Sequence, residues 1–312
     1  GLGMLAVRRV NTKVPQFRAV SCCATKAEVV YAGFKNLVMG SPKDDVYNGI
    51  ARSNDSGATW RVVKREKRLA SLEPVEAYQR RRLPAGNIWF DEPAHIAVAP
   101  GDPNLSLASD LFRTLISRDG GRSWRSANAS ETSDGRFVTK GIDSSVCFGV
   151  RFDPFDSNNM YAFFGNLGIW NSADKGKTWR ALCEGVPLEW RRCSYWLELD
   201  PRVRGLAWAA VSGTHDLPRP KMWRRRSVST YRGGVLVTTD GGESWTPATC
   251  ETEQMAITHI LLDPRSPVGK RTLYACGFGR GVLKSTDNGR TWVVKATGIE
   301  FEEPFAWRLA MA

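Results

Sequence analysis

The segment 213–233 concentrates side chains that could bind an anion or transfer a proton. It contains His215, Asp216, Arg219, Trp223 and Arg225, and six basic residues along it oppose the single acid Asp216. Guanidinium groups bind sulfate, carboxylate and phosphate through charge-assisted hydrogen bonds, and clustered positive charge attracts such anions. Part of the formal net charge of +12 is therefore concentrated in one loop. The alternative is an ordinary solvated loop whose arginines form ion pairs.

Two of the three histidines occupy one position of a repeat. Counted back from the turn that ends a short apolar run, His95 aligns with His259, and Trp196 stands at the same place in a third copy. We expect each of the three to begin a strand. A histidine at this place donates a proton, contacts a ligand, or bonds to a neighbouring element of the repeat.

The elements that position these residues are indicated by an octet that occurs five times. In each copy the first and seventh residues are Ser or Thr, the third is Asp, the fifth is Gly and the eighth is Trp, and the other positions vary. The copies are at 53–60, 117–124, 172–179, 238–245 and 285–292. The acids are Asp55, Asp119, Asp174, Asp240 and Asp287, and the tryptophans are Trp60, Trp124, Trp179, Trp245 and Trp292. Each octet stands between apolar runs, where Asp accepts backbone N–H groups and Gly supplies a positive φ. The octets therefore predict structural turns between strands.

A second repeat stands upstream of the later octets. Short apolar runs end in Asp153-Pro154, Asp200-Pro201 and Asp263-Pro264, and an aromatic-Ala pair follows each of them. Together the two repeats resemble the Asp-box, or BNR, repeat of β-propellers. Over about residues 18–295 the chain is more similar to the xyloglucanase-like glycoside hydrolases than to the sialidases.

The resemblance implies an all-β fold, a β-propeller of four-stranded antiparallel blades. The five octets predict five blades. The segments 4–10 and 305–311 are strand-like but have no octet, and we expect them to complete a sixth blade, because an open edge strand would otherwise stay unpaired. We thus expect a single domain over 1–312. The alternative is a piece of a longer propeller.

The long insertions fall on one side of each predicted blade. The octets follow strand three, whereas the insertions follow strand two or strand four, at 33–49, 66–93, 126–146, 182–194 and 213–233. Turns after strands two and four emerge on the same face of a blade. Because loops held by a rigid scaffold commonly carry function, we predict the ligand site on the face opposite the octets.

Glycoside hydrolysis requires two carboxyl groups on either side of the bond that is cut. The catalytic candidates on the loop-rich face are Asp216 and Asp91. The ligand-binding candidates are His215, Arg219, Trp223, Arg225, His95, His259, Trp89 and Trp196, and Trp190 and Trp307 offer further flat surfaces to sugar rings. Xyloglucanases of the resembling type enclose their substrate between two propellers, and this chain holds one at most. For a sialidase, Tyr231 is available as nucleophile but nothing marks its acid partner.

Composition fits one sizeable domain of many short strands. The 312 residues are 42% hydrophobic, and no run of apolar residues is long enough to predict a membrane span. The seven cysteines lack metal-binding spacing, so we expect no metal and no cofactor. Cys183 and Cys193 are the one pair placed to bridge a loop, and most of the others, Cys276 above all, are predicted to be buried thiols. The location is open, although the resemblance favours a secreted or periplasmic protein.

Three functions are consistent with these patterns. The first is a glycan-directed, glycoside-hydrolase-like propeller, hydrolytic or degenerate, that binds a neutral or acidic carbohydrate. The second is a non-catalytic propeller that binds a protein partner or serves as a scaffold. The third is polyanion binding through the loop 213–233. Apart from net charge, no motif supports nucleic acid as the polyanion.

Overall fold

A computed structural model describes residues 16–38, 46–67, 95–110, 113–143, 145–191, 193–215, 217, 231–250, 255–299 and 305–311. The chain divides into two compact units. The first comprises Gly1–Ala162 and Asn171–Arg180, and the second comprises Phe163–Trp170 and Ala181–Ala312.

The first unit contains two complete four-stranded sheets. One has the order β1 (Gln16–Cys23), β2 (Lys26–Val38), β3 (Val46–Ser53), β4 (Arg61–Lys67), and the other β5 (His95–Ala99), β6 (Asp102–Ser109), β7 (Thr114–Ser117), β8 (Arg125–Ser126). Every neighbouring pair is antiparallel. A small hairpin of β9 (Ala129–Glu131) and β10 (Phe137–Thr139) follows. The core of these sheets is apolar, with Tyr31, Ile96 and Leu115 buried together.

A third four-stranded sheet follows, and the division between the units runs through it. Its order is β11 (Cys147–Phe152), β12 (Met160–Phe164), β13 (Gly168–Ser172), β14 (Arg180–Ala181). All five side chains of β12 are buried, which explains why this strand reads as a continuous apolar run rather than an alternating one.

The second unit contains the last two sheets and one short 3₁₀ helix, Leu188–Trp190. The fourth sheet has the order β15 (Cys193–Leu199), β16 (Ala207–Ser212), β17 (Gly233–Thr238), β18 (Thr246–Pro247). The fifth has the order β19 (Thr249–Cys250), β23 (Thr291–Val294), β22 (Gly281–Ser285), β21 (Leu273–Gly277), β20 (Ile257–Leu262). The all-β prediction with four-stranded antiparallel sheets is confirmed, except that β19 adds a fifth, parallel strand to the last sheet. That strand covers an edge that would otherwise be open.

All five octets form the same turn between the third and fourth strands of their sheets. The fourth and fifth residues of each octet both have positive φ, 64° and 76° for Asn288 and Gly289. The first hydroxyl accepts a hydrogen bond from the glycine N–H, 3.0 Å from Gly289 to Ser285 Oγ. The carboxylate accepts the N–H and the hydroxyl of the seventh residue, as Asp287 does from Thr291 at 3.0 and 2.6 Å. Two consecutive positive φ angles match the twist of paired strands, so the turn suits an antiparallel hairpin.

The octet glycine also contacts the sheet that precedes it in the chain. A Cβ at Gly289 would lie 2.5 Å from Nε1 of Trp208 in the fourth sheet, and one at Gly121 would lie 2.9 Å from a methyl of Val63 in the first sheet. The fully buried Trp208 donates its indole N–H to the carbonyl of Asn288, at 2.7 Å. Each of these octets therefore closes a hairpin and packs one sheet against the next, a role the sequence did not reveal.

The Asp-Pro turns are stabilised by the aspartate side chain. Asp153, Asp200 and Asp263 each accept the backbone N–H two residues on, at 2.8, 2.7 and 2.9 Å. Asp200 also receives Nε and Nη2 of Arg271 at 2.6 and 2.8 Å, and both side chains are fully buried. Asp200 follows β15 of the fourth sheet, and Arg271 lies two residues before β21 of the fifth. This bidentate pair therefore joins the two sheets.

Several loop and terminal predictions differ from the structure. Strands β2 and β3 extend into the predicted insertion 33–49 and leave 39–45 outside the described residues. The insertion 126–146 contains the β9–β10 hairpin. The segment 305–311 is not a ladder strand, because it makes a single bridge, Phe305 to Phe278, and otherwise bonds through side chains. The segment 4–10 lies outside the described residues, so the sixth blade stays a prediction.

Replacing Asp240 with alanine should destabilise the fold. Asp240 accepts hydrogen bonds from Thr238 Oγ1, Ser244 N and Ser244 Oγ at 2.6, 3.0 and 2.5 Å. Because the turn is exposed to water, we expect a loss of about 1 kcal/mol in the free energy of unfolding. Urea denaturation of Asp240→Ala measures it, with Thr239→Ala in the same octet as control. Equal effects of the two substitutions would show that the carboxylate does not stabilise the turn.

The octet acids should also make the fold labile in acid. Partial burial raises the pKa of Asp240, but hydrogen bonds from Ser244 and Thr238 outweigh it and hold the pKa at about 2. In the unfolded chain the pKa is about 4. A pKa that is lower in the folded state stabilises above the unfolded value, and this stability is lost as the pH falls through the folded value. We expect the free energy of unfolding of the wild type to decline between pH 4 and 2, and Asp240→Asn to decline less. Parallel declines would contradict this.

The glycine contact between sheets can be tested with a matched pair of alanine substitutions. Gly289 (φ 76°) and Gly269 (φ 84°) both have left-handed backbone, but a Cβ at Gly289 would clash with Trp208 whereas nothing lies within 4 Å of one at Gly269. Gly269→Ala should cost about 1 kcal/mol from backbone strain, and Gly289→Ala about 1 to 3 kcal/mol more from overpacking. Thermal and urea unfolding measure the difference. Equal losses in the free energy of unfolding would mean that the octet glycine does not pack against Trp208.

Candidate functional site

In the second unit, strands β15 and β20 and the segment 305–311 carry a group of aromatic and charged side chains that we call the Trp196 cluster. Its members are Tyr195, Trp196, Glu198, His259, Trp307 and Arg308. The rings of Trp196 and His259 meet edge to face with centroids 4.3 Å apart. The repeat position shared by these two residues therefore brings them into contact.

Arg308 is the exposed cation of the cluster. Its guanidinium carbon lies 5.0 Å from the ring centroids of both Trp196 and Trp307. Its Nη1 donates to the carbonyls of Thr258 and Trp307 at 2.6 and 3.0 Å. A guanidinium held by two indole rings and two carbonyls keeps a fixed orientation, so little conformational entropy is lost when it binds an anionic or polar group.

His259 is bonded to the C-terminal segment. Its ring is 4% exposed, and its Nδ1 accepts the backbone N–H of Leu309 at 3.2 Å. An accepting Nδ1 carries no proton, so this contact selects the neutral tautomer protonated at Nε2. Among the three roles predicted for the position, the bond to a neighbouring element describes His259 in this structure.

A cleft of about 460 Å³ lies where β15 and β20 end. Glu198 belongs both to the cleft and to the Trp196 cluster, since its Oε2 accepts the indole N–H of Trp196 at 2.9 Å. The lining comprises Glu198, Leu199, Pro201, Leu261, Leu262, Pro264, Arg265 and Met311. Apolar walls with a few oriented polar groups, in this size range, are typical of small-molecule sites. The cleft adjoins the Asp-Pro turns, which is the octet end of these strands and not the loop-rich end predicted for the site.

The beginning of the loop 213–233 is anchored beside the cluster. The Tyr195 hydroxyl donates to the carbonyl of Thr214 at 2.5 Å and accepts the N–H of the buried Leu217 at 3.4 Å. The Tyr195 ring also packs edge to face on Trp307, with centroids 5.8 Å apart. The candidate His215 follows Thr214 directly and is exposed.

The candidate His95 belongs to the first unit. It begins β5, and its Nε2 accepts a hydrogen bond from Nη1 of Arg151 at 2.9 Å. The expectation that all three repeat positions begin a strand is wrong for Trp196 and His259, which are the fourth and third residues of β15 and β20. The pairing register shifts just before each of them, between Ser194 and Trp196 and between Ile257 and His259, so both strands begin before the irregularity.

The remaining candidates lie outside the described residues. These are the catalytic candidates Asp91 and Asp216 and the binding candidates Trp89, Arg219, Trp223 and Arg225. They stay predictions.

Two aromatic candidates are core residues. Trp190 is 4% exposed and packs against the backbone of Gly234, so it offers no surface to a sugar. Tyr231 is 5% exposed and packs on Phe278, with centroids 5.9 Å apart, which does not suit a nucleophile.

The cysteines are all free thiols. The bridge between Cys183 and Cys193 is absent: Cys183 is exposed, whereas Cys193 is buried within β15. Burial raises the pKa of the Cys276 thiol to about 12 and that of Cys147 to about 11, so both stay protonated at neutral pH. They behave as small apolar residues, as predicted for Cys276.

Within the described part of the chain, no group of three or more His, Cys, Asp or Glu side chains is arranged to hold a metal ion. None of its helices is long and apolar enough to cross a membrane.

Proteins similar to this chain are found by comparing structures and not by comparing sequences. No family model and no curated protein matches the chain. A GH74 enzyme from Niastella koreensis superimposes with a TM-score of 0.59 at 17% identity, over 89% of this chain and 38% of that one. The GH74 xyloglucanase from Xanthomonas campestris gives 0.53 at 18% identity, over 88% and 37%. An ancestral GH74 enzyme gives 0.51 at 16%, over 86% and 36%.

These likenesses show the fold and no more. The chain is an array of four-stranded antiparallel sheets of the β-propeller type, similar to that of the xyloglucanase-like enzymes. It spans somewhat more than a third of the length of those structures.

Sequence reasoning did not select Tyr195, Glu198 or Arg308. Tyr195 and Glu198 flank the candidate Trp196 at positions that look like ordinary strand residues, and Arg308 follows Trp307 in a segment that was assigned to ring closure. The signal that could have found Glu198 is its spacing of two from Trp196, which places both on one face of a strand.

Proposed function

We propose that this chain is a carbohydrate-binding propeller of glycoside-hydrolase-like fold, whose ligand lies along β15 in the second unit. The observation that carries the proposal is that the cleft and the Trp196 cluster share Glu198, so that together they form one continuous tract. Trp196 and Glu198 are two residues apart on one strand, and their side chains are hydrogen bonded at 2.9 Å. A strand rises about 3.3 Å per residue, so these two positions span about 6.6 Å, roughly the length of one sugar ring.

The chemistry of the tract suits a sugar. The half-exposed Trp307 offers an apolar face, and Glu198, Arg265 and Arg308 provide an acceptor and donors for ring hydroxyls. The presence of two arginines extends the proposal to acidic carbohydrates. Hydrolysis would require a second carboxyl group within reach of the bond, and Asp216 and Asp91 remain its candidates.

Titration calorimetry with xyloglucan oligosaccharides tests binding. Trp307→Ala and Glu198→Gln should each weaken the affinity about tenfold, since each removes a stacking surface or a charge-assisted hydrogen bond. Trp170→Ala and Glu189→Gln, in the same unit but outside the tract, are matched controls and should leave the affinity unchanged. If the controls weaken binding equally, or if no carbohydrate binds the wild type, the proposal fails.

Release of reducing ends from the same oligosaccharides tests hydrolysis. If the chain is catalytic, Asp216→Asn or Asp91→Asn should abolish release and spare affinity. Binding without release in the wild type indicates a degenerate, non-hydrolytic propeller.

The alternative is a protein-interaction propeller in which the same cluster binds a peptide carboxylate. The observation that favours it is the exposed Arg308 held between two indole rings. A salt titration separates the two. Peptide or polyanion binding should weaken steeply with salt and be lost in Arg308→Gln or Arg225→Ala, whereas sugar stacking should depend on salt only slightly.

A further inference from the structure

The first unit contains a group of three cations at the third octet, Arg118, Arg125 and Lys140, that we call the basic cluster. Arg125 pairs across the ladder with Ile116 of β7, and directly opposite side chains share one face of the sheet. Ile116 turns this face toward Gly176 of the third octet, since its Cδ1 lies 3.3 Å from the Cβ position of that glycine. Arg118 follows β7 in the turn of the second octet, and its Nη2 lies 3.8 Å from the same Cβ position.

Backbone carbonyls bind two of the three cations at this place, Arg118 and Lys140. Arg118 Nη2 donates to the carbonyl of Lys175 in the third octet. Lys140 Nζ donates to the carbonyl of Ser126, the residue after Arg125, at 2.9 Å, and the Lys140 carbonyl accepts the N–H of Trp179 at 2.7 Å. Arg118 and Lys140 are thus bonded to the third octet, and the exposed Arg125 stands beside them on the edge strand β8.

The charge of the basic cluster is poorly compensated. Among the described residues none of the three cations forms an ion pair, and Asp174 is the acid whose charge raises the pKa of Arg118 and Lys140. Its carboxylate is committed to its own octet, where it accepts bonds from Ser172, Lys177 and Thr178. Burial lowers the pKa of Lys140, and the charges of Arg118 and Arg125 lower it further. A bound anion would relieve this repulsion.

We propose that the basic cluster binds a sulfate or phosphate ester group carried by a polysaccharide. Two guanidinium groups and an ammonium group provide donors for the oxygens of a tetrahedral dianion, and Arg118 and Lys140 are held in place by backbone carbonyls. Trp124 and Trp179, beside the cluster, are only 6% exposed, so neither ring is accessible for a nucleic-acid base to stack on. The anion site does not depend on the proposed function, whereas the choice of a glycan as the carrier of the anion rests on it.

Calorimetry on the whole chain tests the site, with sodium sulfate, inorganic phosphate, a sulfated oligosaccharide, its unsulfated form and oligothymidylate as probes. The wild type should bind sulfate or phosphate, and the sulfated sugar more tightly than its unsulfated form. Arg125→Gln and Lys140→Gln should each weaken sulfate and sulfated-sugar binding about tenfold. Arg122→Gln, an exposed cation three residues from Arg125, removes the same net charge and should leave the affinity unchanged. The exposed Arg125 can be replaced without loss of fold even if Lys140→Gln proves unstable.

Three results would overturn the proposal. Equal weakening by Arg122→Gln would mean diffuse attraction by net charge, and absence of sulfate and phosphate binding would mean that the cluster is no site. Tighter binding of oligothymidylate than of the sulfated sugar would identify a nucleic acid as the carrier. Trp307→Ala distinguishes the two proposals, because it should weaken the unsulfated sugar and leave inorganic sulfate unaffected.

Discussion

The turn made by the octet is the interaction on which the rest of the structure depends. Its aspartate and first hydroxyl bind the backbone of the turn, and its glycine brings the backbone against the preceding sheet, at Val63 for the second octet and Trp208 for the fifth. A side chain in place of the glycine would separate the two sheets, and an unbonded aspartate would leave the turn donors unsatisfied. Hairpin closure and packing between sheets are thereby specified by the same eight residues.

The buried pair of Asp200 and Arg271 adds a polar constraint at the turns after the first strands. A buried ion pair contributes little net stability unless its geometry is good and its remaining donors are satisfied. Here the pair is bidentate, Nη1 of Arg271 donates to the carbonyl of Ser266 at 2.5 Å, and Asp200 accepts two backbone N–H groups. Loss of either partner would leave a charge buried without compensation, so the pair fixes how the fourth and fifth sheets meet.

The sequence was most informative where chemistry repeats. Five octets predicted the turns because Asp, Gly and Trp have local roles that do not depend on distant residues. The alignment of Trp196 with His259 likewise predicted that the two occupy one position of the repeat, and in the structure their ring centroids lie 4.3 Å apart. The fifth strand of the last sheet, the contact of octet glycines with the preceding sheet and the position of Arg308 between two indoles depend on pairings distant in the chain, which spacing alone does not encode.

The arginines differ in how their charge is satisfied, and this difference separates structural from functional positions better than their number does. Arg271 is fully buried and its donors are used by a carboxylate and a carbonyl, so it is part of the scaffold. Arg308 is exposed, rests on two indole rings and donates to the backbone carbonyls of Thr258 and Trp307. Arg118 and Arg125 repel each other beside a half-buried lysine. The charge of Arg271 is thus compensated inside the scaffold, whereas Arg118, Arg125 and Lys140 form no ion pair among the described residues. Positive charge of the second kind is not needed to close the fold, and an anionic ligand is what it can bind.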